Sequence, residues 1–184
     1  GKLPEAEFAV VVSNNREAPG LEIAAAHGVP IEVIASGEYK GRRAEHDTAV
    51  LELLRRYQCE GLVLAGYMRI IGEEFVRSYP NRIINIHPSL LPSFPGLDAQ
   101  KQALDWGVKF SGCTVHFVDT GVDSGPIILQ RVVPVDVSDT AEELAARILI
   151  EEHRAIVEAV SLWTSGALNI DGRRVAVERT HETG

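Results

Sequence analysis

Residues 61–88 read GLVLAGYMRIIGEEFVRSYPNRIINIHP, and the order of elements in this stretch decides the fold. Gly61 to Ala65 is a short apolar run closed by Gly66, the pattern of a buried strand. Glu73 to Ser78 reads as a short helix that stops before Pro80. Arg82 to Ile86 is the next strand. It ends where Asn85, His87 and Pro88 interrupt the apolar pattern.

The same alternation extends upstream. Glu7 to Ser13 is a Val-rich strand ending at Asn14 and Asn15, and Ala18 to His27 is a short helix with Gly28 on its C-terminal side. Ile31 to Ile34 is a second strand. Arg42 to Tyr57 is a helix with Ala49, Val50, Leu53, Leu54 and Tyr57 at helical spacing. Four such alternations predict an α/β fold, a Rossmann-like, mostly parallel twisted sheet with helices on both faces. Downstream the rhythm changes. Gly112 to Val118 and Ile127 to Val133 are joined by a short Gly- and Asp-rich stretch, which suits an antiparallel pair. Thr140 to Thr164 is a long helix capped by Asp139 or Ser138. Ala167 to Val177, with Asp171-Gly172 at its middle, is a hairpin. One domain spanning residues 1–184 is the expected organisation.

Composition narrows the function. The chain has 184 residues, 45% apolar and 24% charged, with a net charge of −8. An acidic chain is a poor partner for nucleic acid, whose phosphates are met mainly by Lys and Arg. No apolar run approaches the roughly 20 residues of a membrane span. Cys59 and Cys113 make no disulfide framework and read as buried small apolar residues, so a cytoplasmic setting is expected.

Ligands of open α/β sheets sit outside the carboxyl ends of the strands. Ser13-Asn14-Asn15, Gly66 to Arg69, Asn85 to Pro88 and Gly121 to Pro126 carry the unusual residues at such ends or between the last two strands. Asn85 and His87 are two apart and face the same side of a strand. An amide donor beside an imidazole, with Asp123 to hold the ring, suits acyl transfer to an amine. Fixed donors meet the oxyanion, and an acid/base group moves the proton. The same residues also suit a strand end that is merely tied down, and from chemistry alone both readings stand. His87, His116 and Asp123 as metal ligands are a weaker alternative, because no zinc-type spacing supports them. Arg42-Arg43 and Glu151-Glu152-His153 read as solvated charged faces.

NIHPSLLPSFPG (Asn85 to Gly96) and GCTVHFVDTGVDSGPIILQ (Gly112 to Gln130) resemble the two signatures of the folate-dependent formyltransferases, in their order and spacing. LAGYMRII (Leu64 to Ile71) and VVSNN (Val11 to Asn15) resemble them as well. The resemblance implies formyl transfer from 10-formyltetrahydrofolate to the amine of phosphoribosylglycinamide in purine biosynthesis. The expectation is that no metal, nucleic acid or membrane takes part, with the oligomeric state left open, a homodimer included. It implies that Asn85, His87 and Asp123 are catalytic. The main chain of Met68, Arg69, Ile70 and Ile71 would hold the pterin, and Asp119, Thr120, Gly121, Val122 and Asp123 would close over it. Arg43 would contact the folate. Leu149, Ile150, Glu151 and Glu152 would contact the ribonucleotide, with Glu152 on its ribose hydroxyls. An apolar pterin pocket walled by Leu64, Ile70, Ile71, Ile83 and Val118 and a cis Leu91-Pro92 bond are further expectations. The family's first strand and its Gly-Ser-Asn phosphate loop have no counterpart here. The expectation is therefore a chain lacking that N-terminal unit, with Gly1 to Pro4 as a loop leading into the strand. The competing expectations are a formyltetrahydrofolate deformylase, in which water replaces the amine, and a non-catalytic folate- or nucleotide-binding module.

Overall fold

The computed structural model describes Leu3 and residues 5–178, so the expected loop Gly1 to Pro4 lies outside the described residues apart from Leu3. The described residues form two compact units. One holds Glu7–Leu62 and Arg69–Pro80; the other holds Val63–Met68, the chain from Asn81 on and the first few residues.

In the first unit β1 (Val11–Ser13) pairs in parallel with β2 (Ile31–Val33), Val11 opposite Ile31. The strand expected over Glu7 to Ser13 is only three residues long, because the run before Val11 finds no ladder partner. Helix α1 (Pro19–Ala26) opens on Pro19, whose fixed φ suits a first turn, and packs on both strands. Helix α2 (Arg43–Arg56) packs on α3 (Glu73–Ser78). Its buried stripe is Leu51, Leu53 and Leu54, continued one turn back by His46 and Asp47. A single turn of 3-10 helix over Ser36–Tyr39 precedes α2 and was not expected.

In the second unit a four-stranded sheet runs in the order β3 (Leu62–Leu64), β4 (Ile83–His87), β5 (Phe110–Phe117), β6 (Ile127–Pro134). β5 runs antiparallel to both its neighbours, β4 and β6, the second pairing being the one that the short connection between β5 and β6 implied. Helix α4 (Ala99–Trp106) was missed in the sequence; only Ala99 and Ala103 are buried, too few to mark a face. Helix α5 (Ala141–Thr164) lies on β5 and β6 and buries Leu144, Ile148, Ala155 and Ala159 against Ile84, Cys113, Val115 and Phe117. Each fully buried Leu or Ile contributes about 1.5–3 kcal/mol of transfer free energy, so this layer fixes the sheet. Thr140, not Asp139 or Ser138, caps α5. Its hydroxyl accepts from the Glu143 amide, and the Glu143 carboxylate accepts from the Thr140 amide. Asp139 is engaged elsewhere, paired with Arg147 at 2.6 Å and accepting from the Asp136 amide. β7 (Leu168–Asp171) and β8 (Arg174–Val177) form the expected hairpin.

Candidate active site

β4 and β5 set the chemistry out. Side chains alternate along a strand, so Ile84 and Ile86 pack into the core while Asn85 and His87 share the opposite face. Antiparallel register places His116 of β5 opposite Asn85 and Thr114 opposite His87, which brings both onto that face. Asn85 Nδ2 lies 3.3 Å from His116 Nε2. This is a donor facing an acceptor when the His116 proton sits on Nδ1, where the ring donates to the Phe117 carbonyl at 2.9 Å.

Asp123 reaches the same place from the loop after β5. The loop turns back through a left-handed residue at Asp123 (φ 48°) and through Gly125. A Cβ at Gly125 would lie 1.8 Å from the Phe117 carbonyl oxygen, so only glycine permits this approach. Asp119 braces the loop by accepting from the Gly121 amide at 3.0 Å and the Ser124 hydroxyl at 2.6 Å.

Two imidazoles and a main-chain amide meet at the Asp123 carboxylate. Its Oδ2 accepts from the Gly96 amide at 2.8 Å and stands 3.3 Å from His87 Nδ1; its Oδ1 is 3.7 Å from His116 Nε2. At 3.7 Å the contact with His116 is long for a hydrogen bond. Burial pushes the Asp123 carboxyl up, but His116, the Gly96 amide and His87 together outweigh it and hold the carboxyl below the ordinary range. His87 Nε2 donates to the Phe94 carbonyl at 2.8 Å. Both its ring nitrogens face oxygen atoms, the Phe94 carbonyl and the Asp123 carboxylate. With Nε2 bonded to main chain, Nδ1 is the nitrogen turned toward Asp123. The Leu91–Pro92 bond in the connecting loop is cis, as expected.

The remaining expected residues are distributed as follows. Met68 and Ile70 are 76% and 62% exposed. Arg69 and Ile71 are half-buried. Arg43 begins α2 and lines a concavity of about 440 Å³ with Ser36, Gly37, Tyr39, Lys40, Gly41 and Arg69. Leu64, Ile71 and Val118 are half-buried, whereas Ile83 is completely buried and presents no surface to a ligand; its place as a pocket wall is corrected. Asp119 is half-buried, and Thr120, Gly121 and Val122 are exposed. On α5, Leu149 and Ile150 are exposed and Glu151 pairs with Arg154 at 2.6 Å. Glu152 is no solvated residue. Burial pushes its carboxyl up against the opposing pull of His153. The Cys113 thiol, beside it, is pushed up to about 11, mainly by burial. Among the described residues no group of three or more His, Cys, Asp or Glu is arranged to hold a metal ion.

Sequence reasoning grouped His116 with His87 and Asp123 only as a metal-ligand alternative; it did not place His116 beside Asn85, nor the Phe94 carbonyl or the Gly96 amide in the site. Only His116 left a signal. Pairing the two strands antiparallel, with Asn85 opposite His116, would have found it.

A strand-borne Asn and His facing a loop Asp define a class, and residues 2–160 match the formyl transferase family, to which this chain belongs. Its nearer likenesses are more particular. The chain is 43% identical to the phosphoribosylglycinamide formyltransferase of Bacillus subtilis over 82% of its own length and 76% of that protein's. The crystal structure of glycinamide ribonucleotide transformylase 1 from Symbiobacterium toebii superposes with a TM-score of 0.88 at 52% identity, covering 91% of this chain and 79% of that one. The trifunctional purine biosynthetic protein adenosine-3 of Gallus gallus is 47% identical over 90% of this chain, which spans only 16% of that protein. A formyltetrahydrofolate deformylase from Pseudomonas syringae shares the fold at a TM-score of 0.86 but only 29% identity, covering 94% of this chain and 56% of that one.

Proposed function

We propose that the chain transfers a formyl group from 10-formyltetrahydrofolate to the amine of phosphoribosylglycinamide, in the cytoplasm and without a resident metal. The observation that carries this reading is the Asn85, His87 and Asp123 set on β4 and its facing loop, with His87 Nε2 committed to main chain and Nδ1 turned to Asp123.

The neutral amine attacks the formyl carbon, and the carbonyl electron pair moves to oxygen. Asn85 has a second amide hydrogen to offer that oxygen, and His87 Nδ1–H shares its hydrogen between Asp123 and the oxyanion. One proton leaves the former amine and reaches the folate nitrogen, with Asp123 assisting. The carbon–nitrogen bond to folate breaks, the carbonyl reforms, and charge balances without any outside reagent. The depressed Asp123 carboxyl is ionised at neutral pH and stabilises charge on His87 throughout.

The test mixes the protein with 10-formyltetrahydrofolate, with and without phosphoribosylglycinamide. Loss of the formyl donor that depends on the amine is the expected result. Loss without the amine selects the deformylase, which the shared fold also accommodates. Binding without turnover selects a folate-binding module.

A further inference from the structure

We propose that Asp47 is a positioning residue for the folate. It is a nearly buried carboxylate on α2, and its Oδ2 accepts from the Gly72 amide at 2.7 Å. Gly72 directly follows Ile71 and caps α3, so this bond pins the end of the Arg69–Ile71 segment. The fit is close. A Cβ at Gly72 would lie 2.8 Å from that same carboxylate oxygen, although the Gly72 backbone (φ −75°, ψ 160°) suits any residue. The absence of a side chain there serves the approach of Asp47, not the turn.

A buried carboxylate is costly unless its lone pairs are met. Asp47 has the Gly72 amide at hydrogen-bonding distance and His46 Nδ1 at 3.8 Å from its other oxygen. His46 is itself fixed, donating from Nε2 to the Ile34 carbonyl at 3.1 Å and meeting the Tyr39 ring edge-on. A main-chain segment that reads a ligand through its own amides and carbonyls has no side-chain rotamer to lock. It must be held at its ends, and Asp47 holds one of them. This inference rests on the proposal that the main chain of Arg69 to Ile71 reads the pterin.

Three variants and one exchange measurement test it. Asp47→Ala removes the acceptor, Asp47→Asn keeps an amide oxygen in its place, and Gly72→Ala pushes the carboxylate away without altering Asp47. Asp47→Ala and Gly72→Ala should each raise the folate Kd about tenfold, the scale of losing one charge-assisted hydrogen bond. Turnover at saturating folate and the KM for the ribonucleotide should stay within about twofold, and Asp47→Asn should recover most of the affinity. Unchanged folate affinity in both Asp47→Ala and Gly72→Ala overturns the proposal. So does a proportional loss of both substrates' affinities and of turnover, because that marks general damage. Should Asp47→Ala not fold, Gly72→Ala alone decides. Amide hydrogen exchange of residues 69–72 in the unaltered chain separates the two ideas. If folate does not protect these amides, the main-chain reading has failed. If it protects them and the variants still bind normally, the positioning role has failed.

Discussion

His46 and Asp47 repeat, in the unit built on β1 and β2, much of the arrangement of His87 and Asp123 in the unit built on β3 to β6, although His46 Nδ1 makes no hydrogen bond. Each imidazole gives Nε2 to a main-chain carbonyl, Ile34 at 3.1 Å or Phe94 at 2.8 Å. Each turns Nδ1 to a carboxylate, at 3.8 Å or 3.3 Å. Each carboxylate accepts from the amide of a glycine, Gly72 at 2.7 Å or Gly96 at 2.8 Å. What differs is the company. Asp47 and His46 are neighbours on one helix, and Tyr39 closes the ring in. Asp123 comes from a loop and gathers His87, His116 and the Gly96 amide, with Asn85 joined through His116. The same residue pair therefore serves structure where neighbouring side chains close it in, and suits chemistry where several polar groups converge on one carboxylate.

The largest test of this contrast is at the convergent pair. Asn85→Ala, His87→Ala and Asp123→Ala should each lower kcat on the order of 100-fold or more while folate still binds. The double variant His87→Ala/Asp123→Ala should be much less than multiplicatively worse, because the two act as one unit. Near-normal turnover in Asp123→Ala, or fully multiplicative losses, would sink the coupled site.

Gly125→Ala should come next. Its Cβ meets main chain that cannot swing away, so the loop carrying Asp123 must shift. A misplaced catalytic group costs up to about 100-fold in rate, and a loss on the order of tenfold or more in kcat is expected here. Measured turnover equal to the parent's would mean that Asp123 tolerates displacement.

His46→Ala is the counterpart in the closed pair. It should cost on the order of 3 kcal/mol of folding stability in urea unfolding, as truncation of a fully buried side chain does. Saturated turnover should be unchanged; a kcat loss matching that of His87→Ala would erase the distinction between the pairs.

The smallest expected effect is the pH dependence of stability. The folded-state Asp123 carboxyl lies below its unfolded value, so its contribution is present above the ordinary carboxylate range. It is lost as pH falls through the depressed folded value. Asp123→Asn should flatten the acid side of the stability profile, read from unfolding midpoints at stepped pH; a profile parallel to the parent's would mean the carboxylate is not held down. Finally, exhaustive chelation should leave turnover untouched. Loss of activity restored by one added metal would recast His87, His116 and Asp123 as ligands.

Much of this was legible in the sequence, for reasons particular residues make plain. The apolar runs ending at Ser13, Ala65 and Ile86 and the spacing of Leu53, Leu54 and Tyr57 announced strands and a helix. The pair Asn85 and His87 announced a shared face. α4 was not legible, since two buried alanines make no stripe. Asp47, Leu51 and Leu54 do lie at helical spacing, yet a carboxylate on a buried stripe is not expected until its partner is known. That partner, the Gly72 amide, is distant in sequence.

The sequence by itself determined the order of the strands and of the helices other than α4, the residue types at the site and the family, because periodicity and motif spacing are local properties of the chain. Tertiary structure alone decided which nitrogen of His87 faces Asp123, that His116 stands between Asn85 and Asp123, and that Asp47 meets Gly72. Those facts depend on strand register and on main-chain atoms of distant loops. Every residue carries the same main-chain groups, so no residue name reveals which of them will become a partner.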